Sequence, residues 1–257
     1  MQTVGPSTPS AQAERAARPA LQPIRRRSPR RNWIADFYGS AVGKKYVMAI
    51  TGIVLLGYVF VHMAGNLHLY EGPHRINEYG EGLRDLGEPL VGRTQILWAM
   101  RSMLALSFVM HIHSAYGLTR INQAARARGG YAQDREFLAA NFASRTMRWT
   151  GVIVLLYLVF HLFDLTWGQA NPDYVRGDVY HNVVASFERV PVAIAYVIAN
   201  LALGVHIYHG AWSMFQSLGI NNPRFNHLRR WFAVGFALVV TAGNVTFPIM
   251  VQLGVVE

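Results

Sequence analysis

Long apolar runs alternate with short polar stretches along this chain, and each run is about as long as a membrane span. Five runs stand out, at residues 44–69, about 96–118, 149–167, 192–215 and 231–253. A hydrocarbon core about 30 Å thick is crossed by about 20 apolar residues in helical conformation. The pattern therefore predicts an all-α protein, an integral membrane bundle of five transmembrane helices.

The charged residues give these helices a direction. Arginines are concentrated in the N-terminal tail and in the connections that follow the second and fourth apolar runs. The other two connections, residues 71–93 and 168–189, are rich in Asp and Glu. Because basic loops stay on the cytoplasmic side, the N-terminus is predicted to be cytoplasmic and the C-terminus to face outward. The formal net charge of +10 then reflects topology and not affinity for nucleic acid.

The composition divides the chain into a tail and a membrane domain. Residues 1–32 are rich in Ala, Pro, Ser and Arg, which is typical of a disordered tail or of one draped over a partner. Residues 33–257 are predicted to form the membrane domain. Cys is absent, so the chain alone can hold neither a disulfide nor an iron–sulfur cluster. Any metal that it holds by itself depends on histidine.

Each of the first four apolar runs carries a histidine well inside it. Counted at about 1.5 Å per residue from the cytoplasmic end of each helix, His62 lies roughly 27 Å deep and His161 roughly 20 Å. On the same count His113 lies about 10 Å deep and His206 about 15 Å. The four histidines thus sort into an outer pair and an inner pair. His111 is about 200° around the helix from His113, so these two cannot face one site.

Paired imidazoles at two depths are what two six-coordinate hemes require. A single histidine in a membrane helix usually bonds a neighbouring carbonyl, but its repetition in four helices favours cofactor ligands. Two other histidines are further candidates. His209 could contact a heme propionate or a quinone, or serve as the inner ligand. His68, at the outer end of the first helix, could make the same contacts or lie at the membrane interface.

Five motifs follow one another in the order and helix placement of a known family. They are SAVGKKYVMAITG at 40–52, HMAGN at 62–66, HSAYG at 113–117, RWTGVIVLLYLVFH at 148–161 and HIYHGAWS at 206–213. With these motifs the chain resembles the single-polypeptide cytochrome b membrane anchor of succinate:quinone oxidoreductase and fumarate reductase, of the five-helix, two-heme kind. The resemblance extends over essentially all of the chain after Asn32.

The resemblance implies a multi-pass subunit of respiratory complex II in the cell membrane. A flavoprotein subunit would oxidise succinate for the tricarboxylic acid cycle, and an iron–sulfur subunit would relay the electrons. This chain would anchor both subunits among the membrane lipids and pass electrons to menaquinone or ubiquinone, in a complex that could form a higher oligomer. It would be an enzyme subunit without a succinate site of its own, since it has no GxGxxG motif after a strand.

The resemblance also implies the ligand set of two hemes b. His62 and His161 match the distal ligands, and His113 and His206 match the proximal ligands. It thereby selects His113 over His111, which stays a candidate for contact with a propionate or with a ligand.

Two positions in the chain are candidates for a quinone site. At the cytoplasmic end of the first helix, Ser40, Lys44 and Lys45 could hydrogen-bond a quinone carbonyl, although the lysines could equally anchor the helix at anionic headgroups. At the outer end, Asp164 or Glu81 could relay a proton to the reduced quinone.

Arg101 and Asp164 are ionisable groups inside apolar runs and need partners. We favour a structural bridge between the two. In the alternative interpretation Arg101 holds a heme propionate by a bidentate contact.

Three competing functions fit the same residues. The chain could be the cytochrome b subunit of another quinone-linked dehydrogenase, such as a formate dehydrogenase or a hydrogenase. Its redox centre could be an iron–sulfur cluster held jointly by its histidines and by cysteines of the partner subunit, in place of heme. It could also be an anchor or transporter in which the histidines only cross-link helices.

Overall fold

Five long helices dominate the fold. The computed structural model describes residues 32–127 and 138–257, with side chains described for 32–125 and 146–257. All regular secondary structure in these ranges is helical. The helices are α1 (Trp33–Gly39), α2 (Ala41–Asn66), α3 (Pro73–Gly82), α4 (Gln95–Ala127), α5 (Leu138–His161), α6 (Val179–Glu188), α7 (Val190–Ser217) and α8 (Asn226–Gln252). Short 3₁₀ turns, Leu67–Glu71 and Pro223–Phe225, flank α2 and α8, and a π-helical turn, Leu162–Thr166, follows α5.

Five of these helices, α2, α4, α5, α7 and α8, are long and apolar enough to cross a membrane. The predicted all-helical, five-span fold is confirmed. Large apolar side chains such as Leu106, Leu156 and Leu238 are about two-thirds exposed on the helix surfaces. Such a surface is suited to lipid, where the helix backbone satisfies its own hydrogen bonds.

The chain divides by its contacts into two units, Met1–Asp36 and Phe37–Glu257, and the spanning helices all lie in the second. The predicted tail, residues 1–32, lies outside the described residues except for Asn32. We call the end of the bundle at the start of α2 the inner end, and the end that carries α3 and α6 the outer end. The cytoplasmic position of the inner end stays a prediction.

The spanning helices form two packed pairs, α2 with α4 and α5 with α7, and α8 packs on α7. Helix α4 packs on α2, and α5 packs on α7, while α8 packs most extensively on α7 and α2 touches both α7 and α8. Small residues allow this close approach. A Cβ atom on Gly204 would collide with Thr241, and one on Gly243 would collide with Met63.

Two short helices, α3 and α6, cover the outer end. Asp178 caps α6 by accepting a hydrogen bond from the backbone N–H of His181 at 3.0 Å. Asn77 of α3 donates to Asp178 at 3.0 Å and accepts from the Val179 N–H at 2.8 Å. A buried apolar core lies at this end and is formed by Leu69, Ile76, Val184, Phe187, Tyr196, Phe247, Val251 and Val256. The apolar runs do not predict α3 or α6, because each is only 10 residues long and amphipathic.

Replacing Asp178 with Ala should lower the melting temperature of the protein in detergent at neutral pH. The His181 N–H, and after it the Asn77 amide, hold the pKa of Asp178 below its ordinary value of 3.8. The ionised cap therefore stabilises the fold fully above about pH 4, and this contribution disappears as the pH falls through the lowered pKa. Loss of such a cap costs roughly 1 kcal/mol. Asp178→Asn is the control, since Asn caps helices as well as Asp; equal destabilisation by both variants would contradict the capping role.

Candidate functional site

His62 of α2 and His161 of α5 face each other in the outer half of the bundle. Their ring centroids are 5.9 Å apart and their planes are nearly perpendicular, at 86°. The Tyr58 ring stacks on His62 at 5.3 Å, and the side-chain amide nitrogen of Asn66 lies 3.4 Å from His62 Nε2. The structure thus brings together the two histidines that were predicted to form the outer pair.

His206 of α7 faces His111 of α4 in the inner half, with ring centroids 6.5 Å apart and an angle of 62° between the planes. His113 is exposed and lies against Tyr38, whose hydroxyl group is hydrogen-bonded to His113 Nδ1. The predicted inner pairing of His113 with His206 is therefore corrected to His111 with His206. Since the two histidines of α4 point about 200° apart, only one can face α7, and the motif that selected His113 carried no information on rotation.

The two inner histidines have matching surroundings. The hydroxyl of Thr51 lies 3.2 Å from His111 Nδ1, and the hydroxyl of Thr150 lies 3.3 Å from His206 Nδ1. Each threonine is followed by a glycine, and a Cβ atom there would lie 3.6 Å from the Cε1 atom of the facing imidazole. Each imidazole therefore lies within van der Waals reach of the neighbouring helix.

These matching contacts follow an internal repeat, which was not among the predicted features of the chain. Residues 51–62 and 150–161 both begin with Thr-Gly and end with His at the same spacing. The partner helix of each carries a His-Ile pair, at His111 in α4 and at His206 in α7. Each helix pair, α2 with α4 and α5 with α7, thus gives one histidine to each layer. Aligning the two halves would have selected His111 over His113.

Hydrogen bonds at Nδ1 leave the Nε2 atom available in three of the four paired histidines. His111 and His206 also bond backbone carbonyl groups, those of Met48 and Met147. His161 Nδ1 lies 3.4 Å from the Tyr196 hydroxyl. A histidine whose Nδ1–H is directed to an oxygen presents the Nε2 lone pair to a metal.

The spacing of each pair fits a single metal ion between two imidazoles. With a metal–nitrogen bond of about 2 Å, two axial imidazoles have ring centres roughly 6 Å apart, close to the observed 5.9 and 6.5 Å. Within the described residues, no group of three or more His, Cys, Asp or Glu side chains could hold a metal ion. Two histidines alone suit a metal that brings its other ligands with it, as iron in a porphyrin does.

Asp164 lies in the π-helical turn directly after His161 and has no exposed surface. Arg189 donates to its Oδ1 atom at 2.5 Å, while Tyr196 donates to Oδ2 at 2.9 Å and Ser186 also donates to Oδ2. The carboxylate therefore links the turn after α5 to α6, to α7 and to the residue that connects α6 with α7. The position of Asp164 inside an apolar run marked it as a candidate, but its partners come from an amphipathic segment and from the next span, where hydropathy gives no signal.

The predicted bridge between Arg101 and Asp164 is wrong. The Arg101 guanidinium lies over the Trp98 ring, 5.2 Å from its centroid, on the exposed surface of α4. Helix α4 packs on α2, whereas the carboxylate is enclosed by the segments around α7, where Arg189 is the nearer cation. Arg101 keeps its interpretation as a candidate for a propionate contact.

Arg189→Ala should destabilise the protein by about 3 kcal/mol, the lower part of the range for breaking a buried ion pair. The Asp164 side chain has no exposed surface, and the Arg189 side chain is 28% exposed. Removal of the arginine would leave a buried charge without its cation. Thermal or denaturant unfolding in detergent measures the effect. Arg75→Ala, which breaks two ion pairs whose side chains are about half exposed, is the matched control and should leave stability nearly unchanged; equal effects of both variants would contradict a special contribution of the buried pair.

A second polar cluster lies at the inner end, where the side chains around Tyr38 meet α2 and α4. Lys44 is 9% exposed, and its Nζ atom lies 4.3 Å from the centroid of the Tyr38 ring. The Tyr38 hydroxyl bonds His113 and lies 3.4 Å from the hydroxyl of the fully buried Ser114. Lys45 is exposed outside this cluster. Of the two predicted lysines, Lys44 is thus the one with polar and aromatic neighbours inside the bundle.

Ser40 and His209 have local neighbours of their own. Ser40 caps α2, since its hydroxyl accepts from the Gly43 N–H at 2.9 Å and donates to the Phe37 carbonyl at 2.6 Å. These contacts give Ser40 a structural role at the helix start. His209 is half-buried beside Tyr208, with ring centroids 4.9 Å apart.

The two remaining outer candidates each contact a charged side chain. Glu81 contacts both Arg84 and Arg93, the latter at 2.9 Å. His68 lies 2.8 Å from Glu71, and its ring leans on Tyr79. Asp164, not Glu81, is the buried carboxylate of the outer end.

Residues 136–243 match the family model described as "Succinate dehydrogenase/Fumarate reductase transmembrane subunit". The matched segment is less than half of the chain and includes His161, His206 and the buried Asp164. No curated protein and no solved structure matched the chain. Over that segment the chain is thus similar to the transmembrane subunits of succinate dehydrogenase and fumarate reductase, and five of its described helices are long and apolar enough to span a membrane.

Proposed function

We propose that this chain is the membrane-anchor and electron-transfer subunit of a succinate dehydrogenase or fumarate reductase in the cell membrane. It would bind the flavoprotein and iron–sulfur subunits and deliver electrons from the latter to membrane quinone, and its paired histidines would hold two hemes b that supply the one-electron redox chemistry. The observation that carries the proposal is the arrangement of four histidines as two facing pairs in separate layers of the bundle. The family match supplies the kind of complex.

The histidines of each layer are suited to hold a heme iron between them. His62 and His161 would hold the outer heme, and His111 and His206 the inner heme, each group supplying one-electron redox chemistry when bound. The threonine hydroxyls and backbone carbonyls orient the inner imidazoles and keep Nε2 available. Apolar side chains such as Leu106 and Leu156 cover the outer faces of the spans.

The inner polar cluster is our proposed quinone contact. Lys44 and Tyr38 offer a charged donor and a hydroxyl group, and His113, which does not face His206, offers a group that can hold or release a proton. Quinone reduction needs two protons as well as two electrons, so a cluster of this chemistry suits the end nearest an iron–sulfur partner. Ser40 contributes by fixing the start of α2.

An optical spectrum of the purified complex, with quantitation of heme and iron, tests the proposal. We expect two hemes b per chain, reduced on addition of succinate and reoxidised by a quinone. If the complex contains iron and acid-labile sulfide but no heme, the redox centre is an iron–sulfur cluster shared with the partner subunit and not a pair of hemes. Hemes reduced by formate or hydrogen but not by succinate would assign the chain to another dehydrogenase, and the absence of redox-active iron would leave only an anchor.

A further inference from the structure

We propose that Tyr196, held in place by Asp164, is a positioning residue for His161 and tunes the outer redox centre. Tyr196 would fix which ring nitrogen of His161 carries the proton, and the carboxylate behind it would increase the electron donation of the imidazole. This inference rests on the proposed function, because it treats His161 as an axial ligand.

The direction of the hydrogen bonds follows from the donors available. A tyrosine hydroxyl carries one proton, and an ionised carboxylate only accepts. Tyr196 donates its proton to Asp164 Oδ2 at 2.9 Å, so its oxygen is left to accept from His161 Nδ1–H, which lies 3.4 Å away. The proton of His161 is thereby placed on Nδ1, and the lone pair of Nε2 is left for a metal.

The surroundings hold the Tyr196 hydroxyl in this position. Tyr196 is 2% exposed, and its ring packs edge-on against Phe187 at 4.8 Å and against Tyr157 at 5.2 Å. Asp164 is held in turn by Arg189 and Ser186. A ligand contact supported in this way does not depend on the side chain finding its rotamer after the metal binds.

The outer and inner layers differ in the groups that contact the histidine side chains. The inner histidines contact neutral groups, threonine hydroxyls and backbone carbonyls. His161 is linked through one hydroxyl group to a carboxylate, whose charge Arg189 offsets only in part because the guanidinium also donates to the Ala170 carbonyl and is partly exposed. A carboxylate behind a histidine ligand raises the basicity of the ligand and favours the oxidised metal. The network should therefore lower the midpoint potential of the outer centre.

The test compares Tyr196→Phe with Tyr157→Phe in the purified complex by redox titration and electron paramagnetic resonance. Tyr157 is the matched control, since its ring is 5.7 Å from His161 but its hydroxyl lies 3.5 Å from the Asn200 amide. We expect Tyr196→Phe to raise the midpoint potential and change the low-spin signal of the outer heme alone. Tyr157→Phe should leave both centres unchanged, and both variants should keep two hemes per chain.

Asp164→Asn provides a second variant should Tyr196→Phe reduce the yield of complex. Asn keeps an acceptor for Tyr196 and removes the negative charge, so the outer potential should rise here too. Two hemes with unchanged potentials in Tyr196→Phe, or in Asp164→Asn, would overturn the proposal. A shift of equal size in Tyr157→Phe would also overturn it. A wild-type complex without heme would instead overturn the proposed function on which it rests.

Discussion

A complex that carries His111→Ala should lose its inner heme and keep the outer one, whereas His113→Ala should keep both. The two histidines lie two residues apart on α4, yet only His111 faces His206, at 6.5 Å between ring centroids. His113 is turned toward Tyr38 on the exposed side of the helix. The two positions lie at nearly the same depth in the membrane but on different faces of α4. Comparing the two variants therefore shows which face of α4 carries the ligand of the inner heme.

Heme quantitation and low-temperature difference spectra of the assembled complex measure this result. We expect half of the heme to be absent in His111→Ala and the full amount to be present in His113→Ala. Because we propose His113 as a quinone contact, its variant should keep normal heme reduction and show slower electron transfer to quinone. Loss of the inner heme in His113→Ala, with normal heme content in His111→Ala, would restore the pairing that the sequence motif indicated.

The second large effect is expected at the outer layer. His161→Ala or His62→Ala should remove the outer heme and leave the inner one, because the two rings face each other at 5.9 Å and neither contacts the inner pair within the described residues. His68→Ala is the matched control. It removes a histidine near the outer end that lies against Glu71, and heme content should not change.

The same spectra, recorded with immunoblots for the partner subunits, test this second expectation. Loss of both hemes from either single variant, in a complex that still contains its partner subunits, would contradict the assignment of one histidine pair to each layer. Unchanged heme content in both variants would exclude these histidines as axial ligands.

Hydropathy was sufficient to predict the spanning helices, since each satisfies a simple requirement of length and apolarity. It did not predict α3 and α6, whose amphipathic ten-residue segments resemble loops until their apolar faces meet the core at the outer end. Their contribution is substantial, because α6 supplies Ser186 to the buried carboxylate and Arg189 follows it directly.

For the candidate site, the depth of each histidine along its helix was predictable, but the direction in which its side chain points around the helix was not. Counting residues along a helix placed His62 at the level of His161, but it could not decide between His111 and His113. The partner of Asp164 was missed for a related reason. Two ionisable groups inside apolar runs suggested a pair, whereas the arginine that reaches the carboxylate lies just before the fourth span. Comparison of the Thr-Gly segments at 51–62 and 150–161 would have corrected the histidine choice.

The internal repeat has a consequence for assembly. Each layer takes one imidazole from the first half of the bundle and one from the second, so a metal bound between them cross-links the halves twice. Anything that binds only the joined form contributes its binding free energy to that joining. Insertion of the prosthetic groups would then strengthen the packing of the α2–α4 pair on the α5–α7 pair, which direct helix contacts already join.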